Sequence, residues 1–385
     1  MNQADQKKTV LLVDDAPANI KTVQAILRDL YKIRVAASGV KALGMARIEP
    51  PPDLILLDVS MPEMDGYEVC SQLKLDPKTQ DIPVIFLTGQ THVEEETRGF
   101  DVGAVDYIHK PFSPAVVKAR VQTHLALRGT REQLARQLLT IQKELETARK
   151  IQLSILPSGI PKIEGLDIAA RYVPMTSVAG DFYDFIVVDE NHIGILVADV
   201  SGHGMPAALI ASMLKIALST QWAHAADPAR VLLGLNQVLC GKFQEHFVTA
   251  AYLFLDMEKR TLTYAGAGHP PLLLWNGSPK GVRDVVENGL FLGKFPFATY
   301  SSVELPLKAG DRALLYTDGI SETTNPAGVE FGTDCLRQFL ETERSTSADQ
   351  FADRLLEELS GWSDRGLAEE LDDDITMVII QVRSD

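Results

Sequence analysis

The N-terminal third of the chain alternates short apolar runs with amphipathic segments. Runs such as Thr9–Val13, Leu54–Leu57 and Val84–Leu87 are apolar throughout and lack the alternation of a half-exposed strand. Such runs are typical of parallel strands in a sheet that is covered on both faces. The segments between them, for example Pro17–Leu30, carry apolar residues at helical spacing. Five such β–α units predict a doubly wound, five-stranded α/β domain over residues 7–125.

A second pattern begins near Val116 and continues to Leu156 without a proline. Apolar residues recur every seven positions, and further seam positions follow four residues after three of them: Leu127, Leu134, Ile141, Ala148 and Ile155, with Leu138, Leu145 and Gln152. A 3.5-residue repeat is typical of helices that pair and supercoil. We therefore predict a long helical, coiled-coil linker over residues 126–156.

Three residues weaken this heptad repeat. Gly129 lowers helix stability, Arg131 puts a charge on the seam, and Gln152 is a polar residue of the kind that fixes register in a helix pair. The alternative is a single amphipathic helix that packs on one of the flanking domains.

Residues 157–385 carry strand-like and helix-like segments in blocks rather than in strict alternation. The strand-like segments are Leu166–Tyr172, Asp181–Val188, His192–Val200, Val248–Asp256, Thr261–Ala267, Pro271–Trp275, Asp311–Tyr316 and Ile375–Val382. The helix-like segments are Pro206–Trp222, Pro228–Cys240 and Ala348–Glu358. This arrangement predicts an α+β domain in which helices cover a layered, antiparallel β-sandwich.

Charge and cysteine content narrow the function classes. Residues 157–385 carry 32 acidic side chains against 17 basic ones, a surplus that would repel a nucleic-acid backbone. We therefore expect no DNA partner. The three cysteines, Cys70, Cys240 and Cys335, are odd in number, and no run of about 18 apolar residues occurs. We expect a cytoplasmic protein with no membrane partner.

Polar residues follow the predicted N-terminal strands where the carboxyl ends of those strands should meet. They are, in order, Asp14, Asp15, Asp58, Thr88 and Lys110. An aspartate after a strand is often only a turn or cap residue. Three converging carboxylates, however, need a cation, and Mg²⁺ prefers oxygen ligands. A carboxylate beside Mg²⁺ can attack a phosphoryl group whose oxygens are held by a hydroxyl and an ammonium.

Residues 7–125 resemble a response-regulator receiver domain. The matching features are the Asp14-Asp15 pair, Leu-Leu-Asp-Val-Ser-Met-Pro-Glu-Met-Asp-Gly, Thr88 and Lys110-Pro111-Phe112. The resemblance implies that Asp58 is the phosphoacceptor and that Asp14, Asp15 and Asp58 bind Mg²⁺. It further implies that Thr88 and Lys110 contact the phosphoryl group, that Tyr107 is a conformational switch, and that the Lys110–Pro111 bond is cis. The implied partner is a histidine kinase or another phosphodonor.

In the C-terminal part, four aspartates stand near predicted strand ends, most of them close to glycine. They are Asp181, Asp199, Asp318 and Asp373. Carboxylates without basic partners indicate hard metal ions. Two such ions, about 3.5–4 Å apart, would turn a bridging water into a nucleophile at neutral pH.

Residues from about Ala148 to Val382 resemble the SpoIIE-like branch of the metal-dependent (PPM-type) serine/threonine phosphatases. The motifs are Ala-Gly-Asp-Phe-Tyr-Asp, Asp-Val-Ser-Gly-His-Gly, Gly-Ala-Gly-His-Pro-Pro, Tyr-Thr-Asp-Gly and Asp-Asp-Ile-Thr. The resemblance implies that two Mn²⁺ or Mg²⁺ ions are held by Asp181, Asp199, Asp318, Asp373 and the Val200 carbonyl, with Asp374 as a support. His203 is a candidate proton donor to the leaving serine oxygen, or else a loop histidine that bonds the backbone.

Together the two resemblances imply a response regulator with a phosphatase output. Phosphorylation of Asp58 would control hydrolysis of phosphoserine or phosphothreonine, in either direction. The implied substrate is a phosphorylated anti-sigma-factor antagonist, and the linker implies a homodimer. The alternative is a non-catalytic adaptor that sequesters or delivers a sigma factor or antagonist. Because all four acidic positions are retained, we favour the enzyme.

Overall fold

The computed structural model describes residues 7–89, 93–277, 281–364 and 372–383. The chain divides into two compact units, Met1–Ile141 and Gln142–Asp385. No helix in these described ranges is both long and apolar enough to cross a membrane.

The first unit contains a five-stranded parallel sheet, as predicted. Its strands are β1 (Thr9–Val13), β2 (Lys32–Ala36), β3 (Leu54–Asp58), β4 (Val84–Thr88) and β5 (Asp106–His109). The spatial order is β2-β1-β3-β4-β5, and every neighbouring pair is parallel. The sequence prediction of a doubly wound α/β domain is therefore confirmed, because the chain reverses its direction of travel across the sheet after β2.

Helices cover both faces of this sheet. They are α1 (Pro17–Leu27), α2 (Gly39–Ala46), α3 (Gly66–Leu75), α4 (Val93–Asp101) and the start of α5 (Pro114–Ile155). Proline begins α1, and a capping box of Asp65 and Glu68 begins α3. One apolar core lies under α2 and α3, and the other lies under α1 and the start of α5.

Helix α5 is one continuous helix of 42 residues, so the predicted long helix is confirmed. In the first unit, Val117, Val121 and Leu125 are buried against the sheet. The following heptad positions, by contrast, are 51–60% exposed: Leu127, Leu134, Leu138 and Ile141. Within the described residues of the first unit, this apolar stripe has no cover.

The end of α5 belongs to the second unit, and there one interpretation of the heptads is wrong. Ile155 and Leu156 pack against that unit's apolar core. The Gln152 side chain is 6% exposed and bonds the backbone of Ala179. Gln152 is therefore not a register-fixing residue between paired helices, because its amide group is already committed within its own unit.

The second unit is built on two sheets. Its strands are β6 (Leu166–Val173), β7 (Phe182–Val187), β8 (His192–Val200), β9 (Val248–Asp256), β10 (Thr261–Ala267), β11 (Leu272–Trp275), β12 (Arg283–Val285), β13 (Asn288–Gly289), β14 (Val303–Pro306), β15 (Arg312–Tyr316) and β16 (Ile375–Val382). One sheet has the order β13-β10-β9-β8-β7, with β14 also paired to β10, and the other has the order β12-β11-β15-β16-β6. Apart from the parallel β10–β13 pair, neighbouring strands are antiparallel.

Three apolar cores arrange this unit in layers. Side chains of β8 and β9 meet those of β15 and β16 in a core between the two sheets. The helices are α6 (Met205–Ser219), α7 (Pro228–Leu239), α8 (Asp318–Ser321), α9 (Gly332–Thr342) and α10 (Ala348–Ser363). Helices α6 and α7 share a core with the first sheet, and α9 and α10 share one with the second. The apolar runs form the core strands, and the candidate site residues of this unit lie near the ends of these strands.

Candidate functional sites: two aspartate clusters

The first cluster lies at the carboxyl ends of β1 and β3. Ligand oxygens of Asp14, Asp15 and Asp58 lie within 4.8 Å of one another, and no other group of three possible ligand residues does so in the described part of the chain. Asp14 and Asp58 are buried, whereas Asp15 is exposed. The parallel sheet produces this convergence, because β1 and β3 are neighbours and end at the same edge. Three carboxylates at this spacing fit a hard divalent ion such as Mg²⁺.

Lys110 gives this cluster a cation of its own. The Lys110 Nζ donates to Asp58 Oδ1 at 2.9 Å and to Asp14 Oδ2 at 3.1 Å. The peptide bond from Lys110 to Pro111 is cis, as the resemblance to receiver domains implied. Burial raises the pKa of Asp58, the Lys110 hydrogen bond lowers it, and repulsion from Asp14 raises it further. Asp14 is held by the amide of Asn19 at 3.0 Å and by the Ala16 N–H at 2.8 Å.

Thr88 and Tyr107 lie on the neighbouring strands. Thr88 ends β4 and is 5% exposed, and Tyr107 on β5 is also 5% exposed. The Tyr107 ring packs edge-on against Phe100, with 5.3 Å between ring centroids. A Cβ at Gly99 would overlap the Tyr107 hydroxyl, so this inward ring position requires glycine in α4. The aromatic residue proposed as a switch is therefore in its buried orientation here.

The second cluster is assembled by matching strand ends in the two sheets of the second unit. Asp181 directly precedes β7, and Asp199 lies near the end of β8. Because Phe182 pairs with Ala198, the antiparallel register sets Asp181 opposite Asp199.

The other sheet supplies the remaining aspartates in the same way. Asp318 follows β15 as the first residue of α8, and Asp373 lies just before β16. β15 and β16 are antiparallel neighbours, so the end of one strand meets the start of the other.

The charges of these aspartates act on one another's neighbours, which indicates that the four lie close together. Burial raises the pKa of Asp181 well above its ordinary value, and the charge of Asp199 raises it further. The pKa of Asp199 is raised to about 8, first by burial and then by the charges of Asp318 and Asp373. Burial and Asp373 likewise raise the pKa of Asp318. Among the described residues, the charged groups that shift these three values most are all carboxylates.

This donor set fits divalent metal ions, which would relieve the repulsion between the carboxylates. The residues that would hold the ions are Asp181, Asp199, Asp318 and Asp373. Unlike the first cluster, they do not bring three ligand atoms within 4.8 Å of one another in the described chain.

Asp374 fixes the loop that carries Asp181. Its two carboxylate oxygens accept the Met175 and Gly180 N–H groups, each at 2.7 Å. On the other side of this loop, an ideal Cβ at Gly180 would lie 2.7 Å from the Val200 carbonyl oxygen. The Val200 backbone, a predicted metal ligand, therefore approaches the loop where only glycine leaves room.

Two features of this site were not predicted from the sequence: the hydrogen bonds of the Thr317 hydroxyl and the tight packing at Gly319. The Thr317 hydroxyl donates to Asp181 Oδ2 at 2.8 Å and accepts the Thr376 N–H at 3.0 Å, so it links two strands to one aspartate. A Cβ at Gly319 would overlap the Asp374 carbonyl oxygen. The Tyr-Thr-Asp-Gly motif is thus also a packing motif, although a threonine before an aspartate gives no signal of this by itself.

The two histidines nearest these motifs differ in exposure. His203 is exposed in a loop between Gly202 and Gly204, both of which have positive φ. The ring that contacts this loop is His246, whose Nδ1 lies 2.6 Å from the Ser201 carbonyl oxygen. His269 is buried beside the Thr249 hydroxyl, and burial lowers its pKa to about 3. His269 therefore stays neutral and acts in packing.

Comparisons with known proteins agree with this division of the chain. The family model described as Stage II sporulation protein E (SpoIIE) matches residues 189–383, and the response regulator receiver domain model matches residues 10–122.

Two curated relatives are phosphoserine phosphatases of Bacillus subtilis (strain 168). RsbU is 32% identical over 261 residues, which cover 68% of this chain and 74% of RsbU. RsbP is 32% identical over 191 residues, which cover 48% of this chain and 47% of RsbP.

A solved structure gives the same fold for the second unit. The SiaA-PP2C domain of Pseudomonas aeruginosa aligns with a TM-score of 0.56 and 24% identity, covering 64% of this chain and 98% of that domain. At this identity the likeness concerns the fold alone.

Proposed function

Because the chain belongs to the SpoIIE family and carries a response regulator receiver domain, we propose that it is a response regulator whose output is protein phosphatase activity. The reaction is the metal-dependent hydrolysis of phosphoserine or phosphothreonine on a protein. One observation carries this proposal: the pKa values of Asp181, Asp199 and Asp318 are all raised, first by burial and then by the charges of neighbouring carboxylates.

In this proposal Asp181, Asp199, Asp318 and Asp373, with the Val200 carbonyl, hold two Mn²⁺ or Mg²⁺ ions. The ions supply an activated water and neutralise charge on the phosphate. The chain's own contribution is to fix the ligands. Asp374 holds the Gly180 amide and the Thr317 hydroxyl holds Asp181, so that loop does not have to reorganise when ions bind.

In the receiver, the Asp58 carboxylate accepts a phosphoryl group from a histidine kinase or another phosphodonor. Its oxygen attacks phosphorus, and the donor's bond to phosphorus breaks. The Lys110 ammonium, 2.9 Å from Asp58, balances charge on the transferred group, and Asp14 and Asp15 join Asp58 as ligands of Mg²⁺. Thr88 contacts a phosphoryl oxygen, and Tyr107 changes position with phosphorylation.

We assign a phosphorylated anti-sigma-factor antagonist as the substrate, in line with the phosphoserine phosphatases RsbU and RsbP. We further propose a homodimer in which the exposed stripe of α5, including Leu127, Leu134 and Ile141, pairs as a coiled coil. Phosphorylation of Asp58 then controls hydrolysis through α5.

The decisive variant is Asp199→Asn in the full chain. It removes a central carboxylate without changing its size, and we expect Mn²⁺-dependent hydrolysis of a phosphoserine protein and of 4-nitrophenyl phosphate to fall to background. The matched control is Glu190→Gln, an exposed carboxylate of the same unit, which should keep the wild-type rate. Full activity in Asp199→Asn would refute the metal assignment.

A further inference from the structure

The last turn of α5 contains one buried polar side chain, Gln152, whose two sequence neighbours are exposed. Gln152 is 6% exposed, whereas its neighbours Ile151 and Leu153 are 62% and 45% exposed. Burying an amide is unfavourable unless its donor and acceptor are both satisfied. The partners of Gln152 therefore explain why a glutamine stands at this point of the helix.

Gln152 makes a reciprocal pair of hydrogen bonds with one residue. Its Nε2 donates to the Ala179 carbonyl oxygen at 2.6 Å, and its Oε1 accepts the Ala179 N–H at 3.0 Å. This is the pairing that a neighbouring β-strand would make, supplied here by a side chain. Both bonds require the amide in one orientation, so Gln152 fixes the backbone of Ala179 in position and in rotation.

Ala179 begins the tripeptide that ends in Asp181, a residue assigned above to the metal site. The next residue, Gly180, donates its N–H to Asp374 at 2.7 Å. The Asp181 carboxylate then accepts the Thr317 hydroxyl at 2.8 Å. The tripeptide is thus held from three directions, and among these three contacts only the one from Gln152 comes from α5.

We propose that Gln152 is a positioning residue through which the end of α5 sets the location of Asp181 and thereby the affinity of the site for divalent metal. This inference rests on the proposed phosphatase function. A shift or rotation of the last turn of α5 moves the Ala179 backbone directly, because two hydrogen bonds connect them. Packing of Ile155 and Leu156 anchors the helix. The hydrogen bonds of Gln152 connect the helix to the loop that carries Asp181.

The test uses two substitutions of Gln152 in the full chain. Gln152→Glu keeps the acceptor for the Ala179 N–H but sets a carboxylate oxygen against the Ala179 carbonyl. Gln152→Met keeps length and helix propensity and removes both hydrogen bonds. The matched controls are Gln142→Glu and Gln142→Met, at an exposed position of the same helix.

The primary readout is Mn²⁺ binding by titration calorimetry, which does not depend on turnover. Loss of a buried hydrogen bond corresponds to up to about a tenfold change in affinity, and a second-sphere partner of a metal ligand to about 10–100-fold. We expect both Gln152 variants to bind Mn²⁺ at least about tenfold more weakly than the Gln142 variants. We expect hydrolysis to need correspondingly more Mn²⁺ and to recover most of its rate at saturating metal.

A purely structural role predicts a different result. Gln152→Met would then lower the midpoint temperature of thermal unfolding in EDTA but leave the Mn²⁺ dissociation constant equal to that of Gln142→Met. This outcome would overturn the inference. An Asp199→Asn variant that binds as much Mn²⁺ as the wild-type chain would instead contradict the proposed phosphatase function. If Gln152→Glu does not fold, the comparison of Gln152→Met with Gln142→Met decides.

Discussion

In the first unit, Asp14, Asp15 and Asp58 lie beside a built-in cation, the Lys110 ammonium, whereas the charged groups that act most on Asp199 in the second unit are carboxylates. The first cluster has three ligand residues within 4.8 Å, and the second does not in the described chain. The receiver site therefore brings three carboxylate ligands and one ammonium group together. In the phosphatase site, hydrogen bonds from Asp374 and Thr317 fix the Gly180 backbone and the Asp181 carboxylate.

The largest effect should come from removing the nucleophile of the first cluster. Asp58→Asn should abolish covalent phosphoryl incorporation from acetyl phosphate, because the amide cannot form the acyl phosphate. Incorporation can be measured with radiolabelled donor. The control Asp29→Asn, at an exposed position, should incorporate normally. Unchanged labelling of Asp58→Asn would show that another residue accepts the phosphoryl group.

The second-largest effect should come from adding a side chain at Gly319, beside the second cluster. In Gly319→Ala the added Cβ overlaps the Asp374 carbonyl oxygen, which should cost about 2–3 kcal/mol of unfolding free energy and weaken Mn²⁺ binding. Urea denaturation and calorimetry give the two values. Gly361→Ala is the control, because no atom of the described residues outside its own helix lies within 4 Å of the added Cβ. This variant should be neutral or slightly stabilising.

Removing Lys110 tests whether the first cluster depends on its own cation. Lys110→Ala leaves Asp14 and Asp58 without their shared ammonium, so the unfolding free energy of the receiver in EDTA should fall by about 2 kcal/mol. Mg²⁺ should restore most of this loss, because the ion replaces the missing charge. Lys118→Ala, at an exposed position of α5, should change neither value. An equal loss with and without Mg²⁺ would mean that Lys110 acts through packing.

A smaller effect is expected at Thr317, which supports Asp181 through one hydroxyl. Thr317→Val keeps the shape and removes the hydrogen bonds to Asp181 and from the Thr376 N–H, so Mn²⁺ affinity should fall about threefold to tenfold. Thr342→Val is the control, since its hydroxyl donates to the backbone of its own helix, at the Gln338 carbonyl oxygen. If Thr317→Val binds Mn²⁺ like the control, Asp181 is held by its backbone alone.

The sequence predicted the features that depend on periodicity and chain order. Apolar runs located the strands of both units, and strand ends located Asp58 and Asp199. Features that depend on short or polar segments were missed: β12, β13, β14, α8 and α9. Helix α9 is mostly polar, and within it only Leu336 and Leu340 are fully buried, which is too few to produce a clear helical pattern.

Gln152 shows why the rest could not be read from the sequence. A heptad pattern identifies one face of a helix but not the surface that covers it. The same stripe is exposed at Leu134 and bonded to a loop at Gln152. Ala179, its partner, lies 27 positions away and has no side-chain chemistry that would identify it.

The most direct test of the account measures whether the receiver controls the phosphatase. Hydrolysis of a phosphoserine protein in Mn²⁺ is followed for the full chain with and without beryllofluoride, which mimics a phosphoryl group on Asp58. The account predicts that beryllofluoride changes the rate in wild-type protein and has no effect in Asp58→Asn. A wild-type rate that is the same in both conditions would contradict the proposal that phosphorylation of Asp58 governs the output.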